Sequence, residues 1–211
     1  MAVTIDYYSD VFCIWGWFGH YINQKFDGRW TEDQVTWRFR HVELYGDVSA
    51  RIRKQGTGES AFSRYAEQSE KFVSEFEGMT IHPDVWRKVR PGSSLMPHQV
   101  IKAVELHKGQ NEANQFSDRV REAFFRDGRN VGQFGVLKDL LTENHLAHKE
   151  ILDSLMDGTA LGATVAEFRA AELAKIPGSP SWILDNQRYR FFGRVEPEAI
   201  GTTVDILLDR H

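Results

Sequence analysis

The sequence predicts an α/β fold interrupted by a long all-helical block. Three observations carry this reading. The chain opens with strand, helix and strand patterns in succession, its middle shows helical spacing only, and strand patterns return near its end. Val3 to Tyr8 is apolar and β-branched, the composition of a buried strand, and Ser9 and Asp10 break it. Trp15, Phe18, Ile22 and Phe26 then recur at helical spacing through Ile14 to Phe26, until Asp27-Gly28 stops the pattern. Val35 to Leu44 alternates, with Val35, Trp37, Phe39 and His41 on one side and Thr36, Arg38 and Arg40 on the other. Two strands flanking a helix favour a parallel pair joined by a right-handed crossover.

Arg51 to Ser60 is basic, glycine-containing and poor in apolar residues, and is expected to be a mobile connection. From Ala61 to about Met156 the spacing is helical throughout. One stripe joins Val100, Ile101, Val104 and His107, and a second Phe116, Val120, Ala123 and Phe124. A third joins Val136, Leu137, Leu140 and Leu141, and a fourth Ile151, Leu152 and Leu155. A helix from about Thr164 to Lys175 follows, presenting Val165, Phe168 and Ala171. After Pro177-Gly178-Ser179-Pro180, Ser181 to Leu184 and Tyr189 to Phe192 flank a polar turn and read as a β-hairpin. Pro197 suits the first position of a last helix through Ile200, Val204 and Leu207. The parent domain is thus expected from residues 1–50 and 158–211, with a helical insertion domain at 51–157.

At 211 residues the chain is long enough to bury a core without disulfides or a structural metal. Lys and Arg number 26 against 30 Asp and Glu, a net charge of −4 that argues against a nucleic-acid partner. No apolar run approaches the roughly 20 residues of a membrane span. The amino terminus lacks the basic stretch and apolar core of a signal peptide, so the expected location is cytoplasmic. The one cysteine, Cys13, excludes an internal disulfide framework, a cysteine-based zinc cluster and an internal dithiol couple. His145 and His148 are three apart, but no carboxylate–histidine pattern completes a metal site, and none is expected. Phosphate loops and a Gly-x-Ser-x-Gly elbow are absent from the sequence.

Cys13 stands after the first strand and at the mouth of the first helix, within Asp10-Val11-Phe12-Cys13-Ile14-Trp15-Gly16. Unpaired N–H groups and the helix dipole favour an anion there, so a lowered thiol pKa is expected. A lone cysteine is more often a small buried hydrophobe, and its placement between strand and helix is what reverses that preference. Pro180, before a hairpin strand, reads on sequence rules as an ordinary trans turn proline, because few X–Pro bonds are cis.

Together, the strand, Cys-x-Trp-Gly at a helix start, a second strand, a helical insertion and Gly-Ser-Pro before a closing hairpin resemble the DsbA-type branch of the thioredoxin-fold proteins. The likeness is nearest to the FrnE-like group and more distant to 2-hydroxychromene-2-carboxylate isomerases and kappa-class glutathione transferases. It spans nearly the whole chain. Ser93-Ser94-Leu95-Met96-Pro97-His98 lies where the group has a motif ending Ala-His, and Phe124 to Val131 resembles its Tyr-Phe-x-x-Gly-x-Asp-Ile stretch. The resemblance implies a thioredoxin-like fold with an inserted all-helical domain. It puts Cys13 on the attacking cysteine of Cys-Pro-Trp-Cys, Trp15 on that motif's tryptophan and Pro180 on the cis-proline. The backbone of Ser179 would then pair with an extended thiol ligand such as glutathione. Ile14 replaces the motif's proline and Gly16 its resolving cysteine, which leaves a monothiol.

Three functions follow from these residues. The first is a monothiol thiol–disulfide oxidoreductase, with Cys13 as nucleophile and glutathione or a small thiol or disulfide as partner and co-substrate. The second is a glutathione-dependent isomerase or transferase in which Cys13 holds the cofactor thiol where those relatives carry a serine. The third is a binding protein without turnover. Phe12 and Trp15 flank the nucleophile as an apolar wall, and Gly16 lies where the isomerase-type relatives carry a small residue. The resemblance also brings His98 to the site, against an alternative role in hydrogen bonding at a helix start. Arg87-Lys88-Val89-Arg90 reads as a solvated charge run, with the carboxylates of glutathione as the competing target. Relatives often pair, so a homodimer is implied, although no apolar stripe identifies its interface.

Overall fold

The computed structural model describes residues 2–210. Strand β1 (Val3–Ser9) leads into α1 (Ile14–Gln24) and then β2 (Val35–His41), which pairs parallel to β1 with Val3 beside Val35 and Ser9 beside His41. Five helices follow: α2 (Val48–Ile52), α3 (Gly58–Val73), α4 (Leu95–Lys108), α5 (Gln110–Phe125) and α6 (Phe134–Glu143). Then come α7 (Lys149–Met156), α8 (Thr159–Leu173), β3 (Ser181–Leu184), β4 (Tyr189–Phe192) and α9 (Pro197–Leu208). The sheet order is β2-β1-β3-β4, with β3 antiparallel to β1 and β4 antiparallel to β3. This is the thioredoxin-like architecture: a βαβ unit, a helical insertion, and a returning hairpin and helix. No helix among the described residues is long and apolar enough to cross a membrane.

Alternation sets the faces of β1, where Val3, Ile5, Tyr7 and Ser9 are buried and the residues between them are half-buried. The buried stripes of α4, α5, α6 and α9 hold as expected, except that His107 is exposed. Trp17 rather than Trp15 is the core tryptophan of α1, at 1% exposure against 38%. The helical block and the sheet share one contiguous apolar core, with α5 and α8 packed against β2.

Three boundaries differ from expectation, each for a polar reason. β2 stops at His41 because the N–H groups of Leu44 and Tyr45 donate to the Asp10 carboxylate instead of continuing a ladder. Arg51 to Ser60 is folded as the end of α2, a 3₁₀ turn and the start of α3, because Asp47 caps α2 through the Ala50 N–H and Ile52 is buried. α8 begins at Thr159, behind Gly158 in a left-handed conformation (φ 85°) that glycine adopts without a side-chain clash.

Between α4, α8 and β2 lies a buried polar network. The Glu167 carboxylate accepts from the His41 backbone N–H (2.9 Å), His41 Nδ1 (3.0 Å) and Lys102 Nζ (2.6 Å). His98 packs on His41 with ring centroids 4.5 Å apart.

Candidate functional site

The β1–α1 connection is built around Asp10, which is fully buried. Its Oδ1 accepts from the Phe12 N–H (2.9 Å), and its Oδ2 accepts from Leu44 N–H, Tyr45 N–H and the Ser94 hydroxyl at 2.8–3.0 Å. One carboxylate therefore ties the segment before Cys13 to the β2–α2 loop and to the start of α4. His98 adds a further tie, since its Nε2 accepts from the Val11 N–H at 3.2 Å.

Cys13 is the N-cap of α1, with extended backbone (φ −75°, ψ 119°). It is 4% exposed, and its Sγ donates to the Ser179 carbonyl at 3.5 Å. The Ser179–Pro180 peptide bond is cis, which corrects the trans proline that sequence rules favour and agrees with the resemblance. The Ser179 hydroxyl is bound to Ser9 Oγ (3.0 Å) and the Asp10 N–H (3.2 Å), so the β1 end and the Pro180 loop are joined directly under the sulfur.

These two serines also explain Gly16. A Cβ at residue 16 would lie 2.2 Å from Ser9 Oγ and 3.0 Å from Ser179 Oγ. The space a resolving cysteine would need is taken by a pair of hydroxyls.

The electrostatics overturn one expectation. Burial pushes the Cys13 thiol above its ordinary pKa, although hydrogen bonding from Ser179 and from the Gly16 and Trp15 backbone pulls the other way; the nearby Asp10 charge adds to the rise. The helix start does favour a thiolate, but at this depth desolvation outweighs it. The thiol is not pre-ionised.

Cys13 opens onto a cavity of about 770 Å³, within the range of small-ligand sites. Trp15 and Phe72, ring centroids 4.3 Å apart, form one apolar wall, and Ser179 and Phe192 line the side of the proline loop. Arg51, Lys54 and Arg194 line it with positive charge. Tyr45 and Tyr65 complete the wall, their hydroxyls hydrogen-bonded to each other.

Of the residues singled out in the sequence, Cys13, Trp15 and Ser179 meet in this cavity. Phe12 does not. It is fully buried among Tyr45, Trp86 and Phe124, which corrects its placement as a substrate wall. His98 is likewise fully buried and outside the cavity, holding Val11 by hydrogen bond instead of facing a substrate. Gly16 acts by close backbone approach, and Pro180 by shaping the loop whose Ser179 faces the sulfur. Arg87, Lys88 and Arg90 pair with Glu70, Asp84 and Glu59, away from the cavity. Among the described residues no cluster of three or more histidine, cysteine, aspartate or glutamate side chains is placed to hold a metal ion.

Arg51 and Lys54 belong to a basic segment that reads in the sequence as a loop, so no local signal ties them to the site. Tyr45 and Tyr65 carry no local signal, since they meet only through the packing of α3 on the β2–α2 loop.

The chain and its fold belong to a recognisable class. The chain is a member of the DSBA-like thioredoxin domain family, which matches residues 4–204. Among solved structures it is similar to a probable DsbA oxidoreductase of Streptomyces coelicolor, at 21% identity over 99% of this chain and 91% of that one (TM-score 0.76). It is also similar to the cytosolic disulfide reductase DsbM of Pseudomonas aeruginosa, at 15% identity over 99% and 100% of the two chains (TM-score 0.71), a protein solved with GSH as well. A 2-hydroxychromene-2-carboxylate isomerase matches at 12% identity over 97% and 94% (TM-score 0.65). No curated protein matches the sequence.

Proposed function

We propose that the protein is a monothiol, glutathione-linked thiol–disulfide oxidoreductase of the cytoplasm. The observation that carries this is the position of its single thiol, at a helix start, facing the Ser179 carbonyl and opening onto a cavity lined by Arg51, Lys54 and Arg194. Arg51 and Lys54, which form no ion pair among the described residues, suit the two carboxylates of glutathione, and Arg194, which also pairs with Glu75 (3.3 Å), adds positive charge beside them. The solved complex of DsbM with GSH supports the choice of thiol.

In this reading the Cys13 thiolate attacks the glutathionyl sulfur of a mixed disulfide RS–SG. The S–S bond breaks, Cys13–S–SG forms, and RS⁻ leaves and takes a proton from water. A second glutathione thiolate then attacks the glutathionyl sulfur, releasing the Cys13 thiolate and GSSG. The sum is RSSG + GSH → RSH + GSSG, which needs no second cysteine.

A second reading has its own observation. The buried Cys13 S–H is held protonated and already donates to Ser179 O. Turned toward a bound glutathione, it would hydrogen-bond that sulfur as a thiolate, as an isomerase or transferase of this fold requires.

One experiment separates them. The protein is mixed with GSSG and followed by intact mass, and turnover of a glutathionylated peptide with GSH is measured for wild type, Cys13→Ser and Cys13→Ala. The first reading expects one glutathionyl group on wild type, none on either variant, and turnover in wild type only. Wild type without adduct from neutral to alkaline pH overturns it. Glutathione-dependent isomerisation of 2-hydroxychromene-2-carboxylate that survives in Cys13→Ser but not in Cys13→Ala establishes the second.

A further inference from the structure

Two phenols share the cavity with the thiol, and their arrangement leaves one proton over. Tyr45 comes from the β2–α2 loop and Tyr65 from the middle of α3. Tyr45 is fixed on several sides. Its backbone N–H donates to Asp10, its ring stacks on Trp86 (5.9 Å, 19°) and meets Phe12 edge-on, and the Arg51 guanidinium lies 5.4 Å from its centroid. It is 1% exposed, whereas Tyr65 is half-buried.

The two hydroxyls carry two protons, and the hydrogen bond between them uses one. The accepting phenol keeps its own proton for another partner. Tyr45 is enclosed by protein, so it spends its proton on Tyr65. Tyr65, the more accessible of the two, keeps an O–H for the cavity.

We propose that the Tyr65 hydroxyl, held in place by Tyr45, is a catalytic hydrogen-bond donor to the sulfur that leaves when Cys13 exchanges disulfides. This rests on the oxidoreductase reading of the site. Tyr45 is a positioning residue. In the step Cys13–S⁻ + GSSG → Cys13–S–SG + GS⁻ no proton changes owner. The S–S electron pair moves to the departing sulfur, and Tyr65 stabilises the negative charge that collects there. Burial raises the Tyr65 phenol to about 12, so it stays a neutral donor across the working range and does not become a base. Such a donor suits a site whose thiol has no resolving partner in the chain. It acts on the leaving group instead of on the nucleophile.

The test is the dependence on leaving-group acidity. Single-turnover rates of Cys13 modification are measured for wild type, Tyr65→Phe and Tyr45→Phe with two disulfides. GSSG releases a weakly acidic thiol, and 5,5′-dithiobis(2-nitrobenzoate) releases a strongly acidic one that needs little stabilisation. Rates are compared per thiolate, using the pH dependence of Cys13 alkylation in each protein. For Tyr65→Phe we expect a loss of about 10- to 100-fold with GSSG, the range of a hydrogen bond to a charged group, and under about threefold with the aromatic disulfide. Tyr45→Phe, which keeps the ring packing, should show the same selectivity at smaller amplitude. An equal loss with both disulfides in both variants means a structural role and overturns the inference, as does no loss with either. Wild type that takes up no glutathionyl group removes the reading and the inference together, a failure visible before any variant is made.

Discussion

Cys13 carries two duties that one substitution separates. As N-cap of α1 it makes no side-chain capping bond, although the N–H groups of Trp15 and Gly16 face its sulfur. Serine is a strong N-cap because its oxygen accepts from those amides at hydrogen-bond length, and a serine hydroxyl can still donate to Ser179 O. Cys13→Ser is therefore expected to stabilise the protein by about 0.5–1 kcal/mol in urea unfolding while removing all disulfide exchange. A destabilised Cys13→Ser protein would mean that the thiol is held for packing. The same burial sets the pH dependence of Cys13 alkylation. Because the thiol is pushed above its ordinary value, the rate of Cys13 alkylation should still be rising above about pH 8.5, the ordinary cysteine pKa, with no plateau near neutrality. A plateau below that value would show that the helix start wins over burial after all.

At the scale of elements, the Gly16 position shows why the second cysteine of the family motif cannot simply be put back. α1 approaches the end of β1 so closely that a Cβ at residue 16 meets the Ser9 hydroxyl at 2.2 Å, well inside van der Waals contact. Gly16→Cys must turn Ser9 away and break its bond to Ser179, at a cost of about 1–3 kcal/mol, the usual range for overpacking. Adding Ser9→Ala removes the one atom closer than 3.0 Å, and is expected to return most of that stability under reducing conditions. Gly16→Cys as stable as wild type in urea would sink this account. The resemblance puts Gly16 where a resolving cysteine would stand, but that Ser9 and Ser179 fill this place is not legible in the sequence, since they lie far apart along the chain. The same limit runs through the whole site. β1, β2, the hairpin and the start of α1 were legible because alternation and aromatic spacing report which face is buried. Cys13 was legible because it punctuates those elements, whereas Pro180 read on sequence rules as an ordinary turn proline and its cis bond came only from the resemblance. Phe12 was misjudged because adjacency to Cys13 says nothing about which side of the loop a side chain takes, and His98 because the resemblance brings the start of α4 near the site without fixing where its side chain points. Tyr45, Tyr65 and Arg51 became part of the site only when α2 and α3 folded over its mouth.

At the scale of the whole molecule, the helical block is locked to the sheet through buried groups whose protonation sets the acid limit of the fold. His41 and His98 are both fully enclosed, and burial lowers both pKa values below 6.5; for His98 the neighbouring His41 and Arg121 depress it further. A histidine kept neutral in the fold takes up a proton on unfolding once the pH drops below about 6.5, so its stabilising contribution is present above that pH and is lost as the pH falls. Glu167 acts lower down. Burial alone would raise it, but the hydrogen bond from His41 and the charge and hydrogen bond of Lys102 hold it well below the usual carboxylate range. Its contribution is present above the unfolded value of about 4.5 and is lost below it. Stability should thus fall in two stages on acidification. Below about pH 6.5 each histidine adds a loss of at most about 1.4 kcal/mol per pH unit, and Glu167 adds its own below about pH 4.5. His98→Gln keeps an oxygen acceptor for the Val11 N–H while removing one titrating ring. It is expected to make the first-stage slope shallower than that of wild type in urea unfolding measured from about pH 6 to 5. If His98→Gln and wild type lose stability in parallel from pH 6 to 5, the acid limit lies elsewhere, and the histidine pair between α4 and β2 is not what couples proton uptake to release of the helical block.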